Sequence, residues 1–393
     1  MVKESVIVAA KRTPIGSFQG QLSKFSSPTL AATLIRAIIK ELGLKSNQID
    51  EVILGNVLTA GLGQAPARQA AILAGCDQSI EALTINKMCG SGLKAVMLAD
   101  QSIRCGDANA ILSGGMESMS NSPYLLTKAR SGLKLGHGKV IDSVINDGLW
   151  DAYNNMHMGN CAELLVSERN YGREEQDDYA TRSYTKSLKA QSEGIFESEI
   201  IPMIKKDKKN NIIEIAEDEE PKKVIFDKIN KLKPVFDIDG TITAANASTL
   251  NDGASVLLVM SHTRAKELGL NPLAKIISHA SYAHDPKWFT TAPSQVIKKV
   301  LKKSSMDKRD VGLWEINEAF SIVPMAAIDD FNLDAEKVNI YGGAVALGHP
   351  IGASGARILT TLLNGMNKRN IDVGLATLCI GGGEASAIIV EKV

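Results

Sequence analysis

Aromatic side chains make up only 5% of the 393 residues, cysteines number five, and 44 basic residues are cancelled by 44 acidic ones. Each scarcity excludes something. Without a surplus of Lys and Arg the chain lacks the electrostatic footprint of a general nucleic-acid binder, which leaves room only for a small basic patch meeting one phosphorylated ligand. No run of about eighteen or more apolar residues occurs, so no membrane-spanning helix is expected. The N-terminus does not read as a secretory signal, because the apolar stretch Val6 to Ala10 is followed at once by Lys11 and Arg12. The C-terminal Val390-Glu391-Lys392-Val393 matches no targeting signal. Cys76, Cys89, Cys105, Cys161 and Cys379 are odd in number and widely spaced, which argues against a disulfide framework, and no Cys-x-x-Cys or His/Cys pair has zinc spacing. A cytoplasmic chain with free thiols is the expectation.

What is present is ordinary for a globular enzyme, with 44% hydrophobic and 22% charged residues, and a length that favours two or three domains. Strand and helix signals alternate in the first third. Ser5 to Ala10, Glu51 to Leu54 and Ala108 to Ser113 read as strands, the last stopping at Gly114-Gly115. Leu30 to Leu42, Gln64 to Leu73 and Gly92 to Arg104 read as helices, each closed by a glycine. The alternation indicates βαβ units and a parallel sheet.

The last third repeats this order. Asp310 to Asn317 mirrors Asp50 to Asn56, the glycine-broken helix start at Gly352-Ala353-Ser354-Gly355 mirrors Gly90-Ser91-Gly92, and Val373 to Cys379 mirrors Ala108 to Ser113. Two related α/β halves follow from this, residues 1–119 with 251–269 and residues 270–393. Between them, at 120–250, the rhythm fails. There 16 of the 30 residues from Lys205 to Pro234 are charged. Such a stretch reads first as a solvated excursion, and alternatively as a source of lysines for a ligand's phosphates.

Four motifs carry chemistry. In Asn86-Lys87-Met88-Cys89-Gly90-Ser91-Gly92, a strand runs into a cysteine just before a helix, where free N–H groups and the helix dipole favour a thiolate. Gly90 and Gly92 leave room for a substrate carbonyl to approach the backbone. In Gly348-His349-Pro350, an imidazole is fixed by glycines and a proline ahead of a helix start, at the open end of a sheet. Cys379-Ile380-Gly381-Gly382-Gly383 ends a buried strand in a backbone nest able to hold an oxyanion. Asn317-Glu318-Ala319-Phe320 places an amide at a strand end of the second half. Cys76, Cys105 and Cys161 lack such surroundings and read as inert.

At these motifs the sequence resembles the thiolase family, and the resemblance runs over essentially the whole chain. Arg12-Thr13-Pro14-Ile15-Gly16, Gly114 to Met119, Met156-His157-Met158-Gly159 and Asn246 to Gly253 support it. It implies the thiolase fold, two βαβαβ halves in an α/β/α/β/α stack, with residues 120–250 as an inserted loop domain that contacts coenzyme A. It also implies an acyltransferase that joins two acetyl-CoA into acetoacetyl-CoA plus CoA, or runs in reverse, with no cofactor and no metal. Cys89 would be the nucleophile, His349 its base, and Cys379 the group that moves the methyl proton. Backbone N–H groups of Cys89 and Gly381 would hold one oxyanion, and His349 with a water on Asn317 the enolate. Ser248 and Leu149 would touch the pantetheine arm, and His157, Met158 and Phe320 would line the acyl end. Where the family carries an arginine near Pro221 this chain has none, so Lys222 or Lys223 would meet the 3′-phosphate as point charges, or solvent would. A homo-oligomer, dimer or tetramer, is implied as well.

Related ketoacyl synthases share the fold but use one Cys and two His, whereas here a second Cys precedes the final glycines. The nearest alternative is a degradative 3-ketoacyl-CoA thiolase of longer chains, against which Met156 to Gly159 resembles the short-chain enzymes. A non-catalytic acyl-CoA-binding protein would have no need of Cys89, His349 and Cys379 together. A nicotinamide-linked oxidoreductase would carry Gly-x-Gly-x-x-Gly after the first strand, where this chain reads Lys11-Arg12-Thr13-Pro14.

Overall fold

The computed structural model describes residues 3–393. The first half supplies strands Ser5–Arg12 (β1), Glu51–Gly55 (β2), Glu81–Ile85 (β3), Ala110–Ser118 (β4) and Asn251–Ser261 (β5). The second supplies Ala274–Ala283 (β6), Leu313–Ile316 (β7), Val373–Ile380 (β8) and Glu384–Lys392 (β9). They form one hydrogen-bonded path in the order β7-β8-β9-β6-β1-β5-β4-β2-β3. Outward from the middle each half has the same plan: β1 or β6 at the seam, then β5 or β9, then β4 or β8, then β2 or β7. The seam is two residue pairs long, Val6 with Lys275 and Ile7 with Ala274. The segments that mirror each other in sequence, β2 with β7 and β4 with β8, hold equivalent places.

The sheet is mixed rather than parallel as expected. β3, β2 and β4 run parallel, as do β7 and β8. In contrast, β5 is antiparallel to β1 and β4, and β9 to β8 and β6. Connection length explains the difference for β8 and β9. Only Gly381 to Gly383 separates them, and a short turn joins antiparallel strands, whereas a parallel pair needs a crossover.

The helices Ser27–Glu41 (α1), Pro66–Ala74 (α2), Ser91–Cys105 (α3), Met158–Arg169 (α4), Arg173–Ser192 (α5), Ala292–Ser304 (α6), Ile322–Phe331 (α7) and Ser354–Arg369 (α8) complete the layers. α1 and α2 cover the outer face of the first half, where Leu34, Ile35 and Ala70 share one buried cluster with Val52, Leu112 and Val256. α6 does the same in the second half through Val296, Ile297 and Val300 against Leu375 and Ile389. α3 and α8 form the central layer and touch each other and strands of both halves. Leu93, Val96 and Ile103 meet Ile358, Leu359 and Leu362 there, with each fully buried side chain contributing about 1.5–3 kcal/mol.

β4 does not stop at its glycine pair but continues to Ser118. These glycines permit close backbone approach instead: a Cβ on Gly115 would overlap the Gly352 carbonyl oxygen, and one on Gly114 the Ser255 carbonyl oxygen. Of the helices in the 120–250 excursion, α4 follows the helical pattern around Cys161, whereas α5 was not announced by the sequence. α5 buries Tyr179, Ala180, Ser183 and Ser187 on one side. Hydroxyls on the buried face erase the apolar stripe by which a helix is read. Nor is the charged stretch simply solvated, since Asp218 is buried 2.7 Å from the Arg12 guanidinium.

Because the atom facing Gly115 is backbone, Gly115→Ala cannot be absorbed by a side-chain shift. It is expected to lower unfolding free energy by about 2 kcal/mol or more in urea titration, and an unchanged midpoint would contradict this packing.

Candidate active site

The turn after β3 sets Cys89 ahead of α3. Met88 takes a left-handed φ of 45°, a conformation that costs about 1–3 kcal/mol and persists only when its surroundings enforce it. Here Met88 N donates to Asn86 Oδ1 at 2.9 Å, Gly90 N to Lys87 O at 3.0 Å, and Lys87 N to Ser91 Oγ at 2.8 Å. The backbone N–H groups of Gly381 and of Cys89 itself act on the Cys89 sulfur in the direction that favours a thiolate. Burial nevertheless pushes the thiol up to about 11, with the Glu117 carboxylate adding to the rise. The expectation that the helix terminus would favour a thiolate is therefore corrected, because desolvation outweighs those donors. Gly90 and Gly92 also serve differently than expected. A Cβ on Gly92 would lie 2.9 Å from Ala356 N, and one on Gly90 would overlap the Ile380 side chain, so both glycines are needed for packing.

His349 is buried on the loop before α8. Its backbone N donates to Asn251 Oδ1 at 2.8 Å, and its Nδ1 lies 2.6 Å from Ser354 Oγ, which itself donates to Pro350 O at 2.9 Å. With the serine proton committed to Pro350, Nδ1 carries the ring hydrogen and Nε2 is left as a bare acceptor with no protein partner. Burial, helped by the Arg357 charge, lowers the ring to about 3. A neutral imidazole with an open Nε2 is a base, and a thiol near 11 keeps its proton until such a base receives it.

Cys379 is fully buried near the end of β8, and burial together with the Cys89 sulfur raises it well above an ordinary thiol. Past it, Gly382 and Gly383 take left-handed φ of 91° and 80°, which turns the chain from β8 into β9. Asn317, one residue beyond β7, is buried with neither side-chain polar atom hydrogen-bonded to protein.

One predominantly apolar cleft of about 560 Å³ gathers most of these groups. Cys89, His349 and Gly381 line it, as do Ser248, Leu149, His157, Met158, Phe320 and Lys223. Lys222 is not in its wall and is ion-paired with Glu217 on the surface. Lys223 bonds to Ser17 Oγ and stands 3.3 Å from Glu219. Ser248 donates its hydroxyl to Ala319 O at 3.0 Å. His157 caps α4, accepting from Gly159 N at 3.0 Å, and stacks on Phe236 at 4.9 Å. Cys161 is buried in α4 beside Asp151 and raised to about 12, Cys76 is buried and raised by burial, and Cys105 is exposed at the end of α3.

Sequence reading passed over four residues that build this site. Ser354 and Asn251 lie inside quoted motifs, but only the fold shows that both bond to His349. Glu117 is buried and accepts from Asn56 Nδ2, Val57 N, Leu58 N and Gly352 N, joining the two halves beneath the cleft. Phe236 comes from the charged excursion and has no local signal.

A half-buried thiol, a neutral imidazole and an N–H group in the wall of one apolar cleft suit an enzyme that transfers acyl groups through a thioester. The chain belongs to the thiolase family: residues 5–263 match the thiolase N-terminal domain and residues 270–392 the thiolase C-terminal domain. It is 50% identical to an acetyl-CoA acetyltransferase of Yarrowia lipolytica over 98% of this chain and 96% of that one. The crystal structure of the Bacillus anthracis acetyl-CoA acetyltransferase superposes with a TM-score of 0.97 at 40% identity, covering 100% of this chain and 99% of that one. A thiolase from Ascaris suum in complex with coenzyme A gives 0.94 at 42% identity, with both chains fully covered.

The raised thiol has a direct signature. In His349→Ala, alkylation of Cys89 by iodoacetamide should quicken about tenfold per pH unit from pH 6 to 9, because only the thiolate reacts and its fraction climbs toward a value near 11. A plateau within that range would contradict the buried, protonated thiol.

Proposed function

We propose that the protein is an acetyl-CoA C-acetyltransferase, carrying out the reversible Claisen condensation of two acetyl-CoA to acetoacetyl-CoA and CoA. The observation that carries this reading is Cys89 in the wall of the cleft with the Gly381 N–H acting on its sulfur and the bare Nε2 of His349 in the same wall. His349 Nε2 takes the Cys89 proton as the sulfur attacks the acetyl carbonyl carbon. Charge gathers on the carbonyl oxygen, where the Cys89 and Gly381 amides are placed to receive it, each donor being worth roughly 3 kcal/mol in the transition state. The C–S bond to CoA then breaks and acetyl-Cys89 remains.

The second half requires a base that can take a methyl proton. A protonated thiol cannot do so, so Cys379 first gives its proton to the departing CoA sulfur, leaving a thiolate opposite the His349 imidazolium. Cys379 then removes the proton from the methyl of the second acetyl-CoA. The enolate oxygen is stabilised by His349 and by a water on Asn317, the new C–C bond forms at the acetyl carbonyl, and the Cys89 sulfur leaves and recovers its proton from His349. Every proton is accounted for by two thiols and one imidazole, so the chemistry calls for no cofactor and no metal.

Phe320, Met158 and His157 stand at the acyl end, and Ser248, Leu149 and Lys223 along the pantetheine path; their place in the cleft wall supports these roles. Lys223 is the better candidate for the phosphate, since it lines the cleft and Lys222 does not. The residues closing the acyl end support short substrates over the long-chain alternative. Five thiols, two of them chemical, suit a reducing cytoplasm. Lipid metabolism, with a homotetramer as the working assembly, completes the proposal. No helix among the described residues is long and apolar enough to cross a membrane.

Two outcomes test this reading. Cys89→Ser should yield no labelled acetyl-enzyme from radiolabelled acetyl-CoA, and survival of that species would remove Cys89 from the role. Lys223→Ala should raise the KM for CoA severalfold while Lys222→Ala leaves it unchanged, and equal effects of the two would contradict the assignment of the phosphate contact.

A further inference from the structure

Asn251 opens β5 and is fully buried, yet no step above uses it. All of its side-chain capacity is directed at the cleft. Oδ1 accepts from His349 N at 2.8 Å and from Thr249 Oγ1 at 2.9 Å. Nδ2 donates to Gly16 O at 3.0 Å and makes a longer contact of 3.4 Å with Glu220 Oε1. Ser17, Glu220 and Thr249 line the cleft, as His349 does. One amide thus ties together the turn after β1, the loop before β5, the 217–223 segment and the backbone of the histidine.

The fit is tight. Gly348, immediately before the histidine, has φ of 102°, and a Cβ there would overlap the Asn251 carboxamide. The glycine is therefore needed both for its backbone conformation and for the seat of the amide. Ser354 fixes the ring of His349 and Asn251 fixes its main chain, so the direction of Nε2 depends on both. The amide's two ends differ in function: the acceptor end faces the base, the donor end faces the wall that runs toward Lys223.

We infer that Asn251 is a positioning residue that locks the His349 backbone to the wall of the cleft, so that the base is aimed at Cys89 only while the turn after β1 and the 217–223 segment are in place. The inference rests on the assignment of His349 as the base. It concerns a residue that touches the base and not the substrate, and its effect is to be sought in kcat. Displacement of a reacting group by about 1 Å can cost about a hundredfold in rate.

The test measures thiolysis of acetoacetyl-CoA by the full-length protein, with rates expressed per folded chain, counted from the amplitude of its cooperative unfolding in urea, so that loss of folded sites does not count. Asn251→Ala should lower kcat about a hundredfold with little change in KM. Asn251→Asp keeps the acceptor for His349 N but sets a carboxylate against both the Gly16 carbonyl oxygen and Glu220 Oε1, and should lose about tenfold. Adding Glu220→Gln to Asn251→Asp restores the Glu220 contact with donor and acceptor exchanged but leaves the bond to Gly16 O broken, and should recover about threefold. Asn251→Ala keeping kcat within threefold of wild type would overturn the inference, as would a double variant no better than Asn251→Asp. Should Asn251→Ala fail to fold, the Asp pair decides alone. His349→Ala separates the two claims: activity retained there would sink the base assignment, whereas a dead His349→Ala beside a fully active Asn251→Ala would sink only the role of Asn251.

Discussion

The active site depends on how closely two helix starts approach each other. α3 and α8 meet with almost no side chain between their first turns: a Cβ on Gly355 would lie 2.5 Å from Leu93 N, one on Gly92 2.9 Å from Ala356 N, and one on Gly115 would overlap the Gly352 oxygen. Cys89 stands two residues before α3 and His349 five residues before α8. Bringing the helix ends together therefore brings the nucleophile and the base together. Glu117 secures the same junction, with its carboxylate taking N–H groups from Asn56, Val57 and Leu58 on one side and Gly352 on the other. The same buried carboxylate is among the influences that raise Cys89, and burial brings Glu117 itself up to about 7.

Electrostatics at this junction fit the proposed roles. Desolvation works in opposite senses on the two partners, raising a thiol and lowering an imidazole, because in each case it disfavours the charged form. The pair is therefore neutral at rest and charge-separated only during reaction, when the amides of Cys89 and Gly381 and the imidazolium are there to meet the charge. Cys379, which burial and the Cys89 sulfur also raise, is suited to the proposed role of holding a proton until CoA departs. In the proposed mechanism two thiols of similar chemistry take different work because Cys89 lines the cleft and Cys379 is buried in β8.

Much of this was legible in the sequence because the relevant signals are local. The cysteine before a helix, the histidine enclosed by glycines and the glycine nest after Cys379 are all contiguous motifs. The two halves were visible because their strands are buried apolar runs in a repeated order. What escaped notice depends on long-range contacts. Asn251 reaches His349 across 98 residues and Glu117 reaches Gly352 across 235, and no spacing in the chain announces either. α5 was missed because its buried face uses hydroxyls, and the antiparallel strands because the sequence pattern of a buried strand carries no direction. The thiolate expectation failed for a related reason, since a helix terminus is a local feature and burial is not.

The central claim, that Cys89 carries the acyl group while Cys379 only moves a proton, is tested most directly with Cys379→Ala. Exchange of radiolabelled CoA into acetyl-CoA needs the first half-reaction alone, whereas acetoacetyl-CoA formation needs both. Because the alanine leaves no thiol to protonate CoA, exchange will slow, yet it should remain readily measurable while condensation falls at least a hundredfold further. Loss of both activities by the same factor, or condensation surviving at the wild-type rate, would contradict the division of labour between the two thiols.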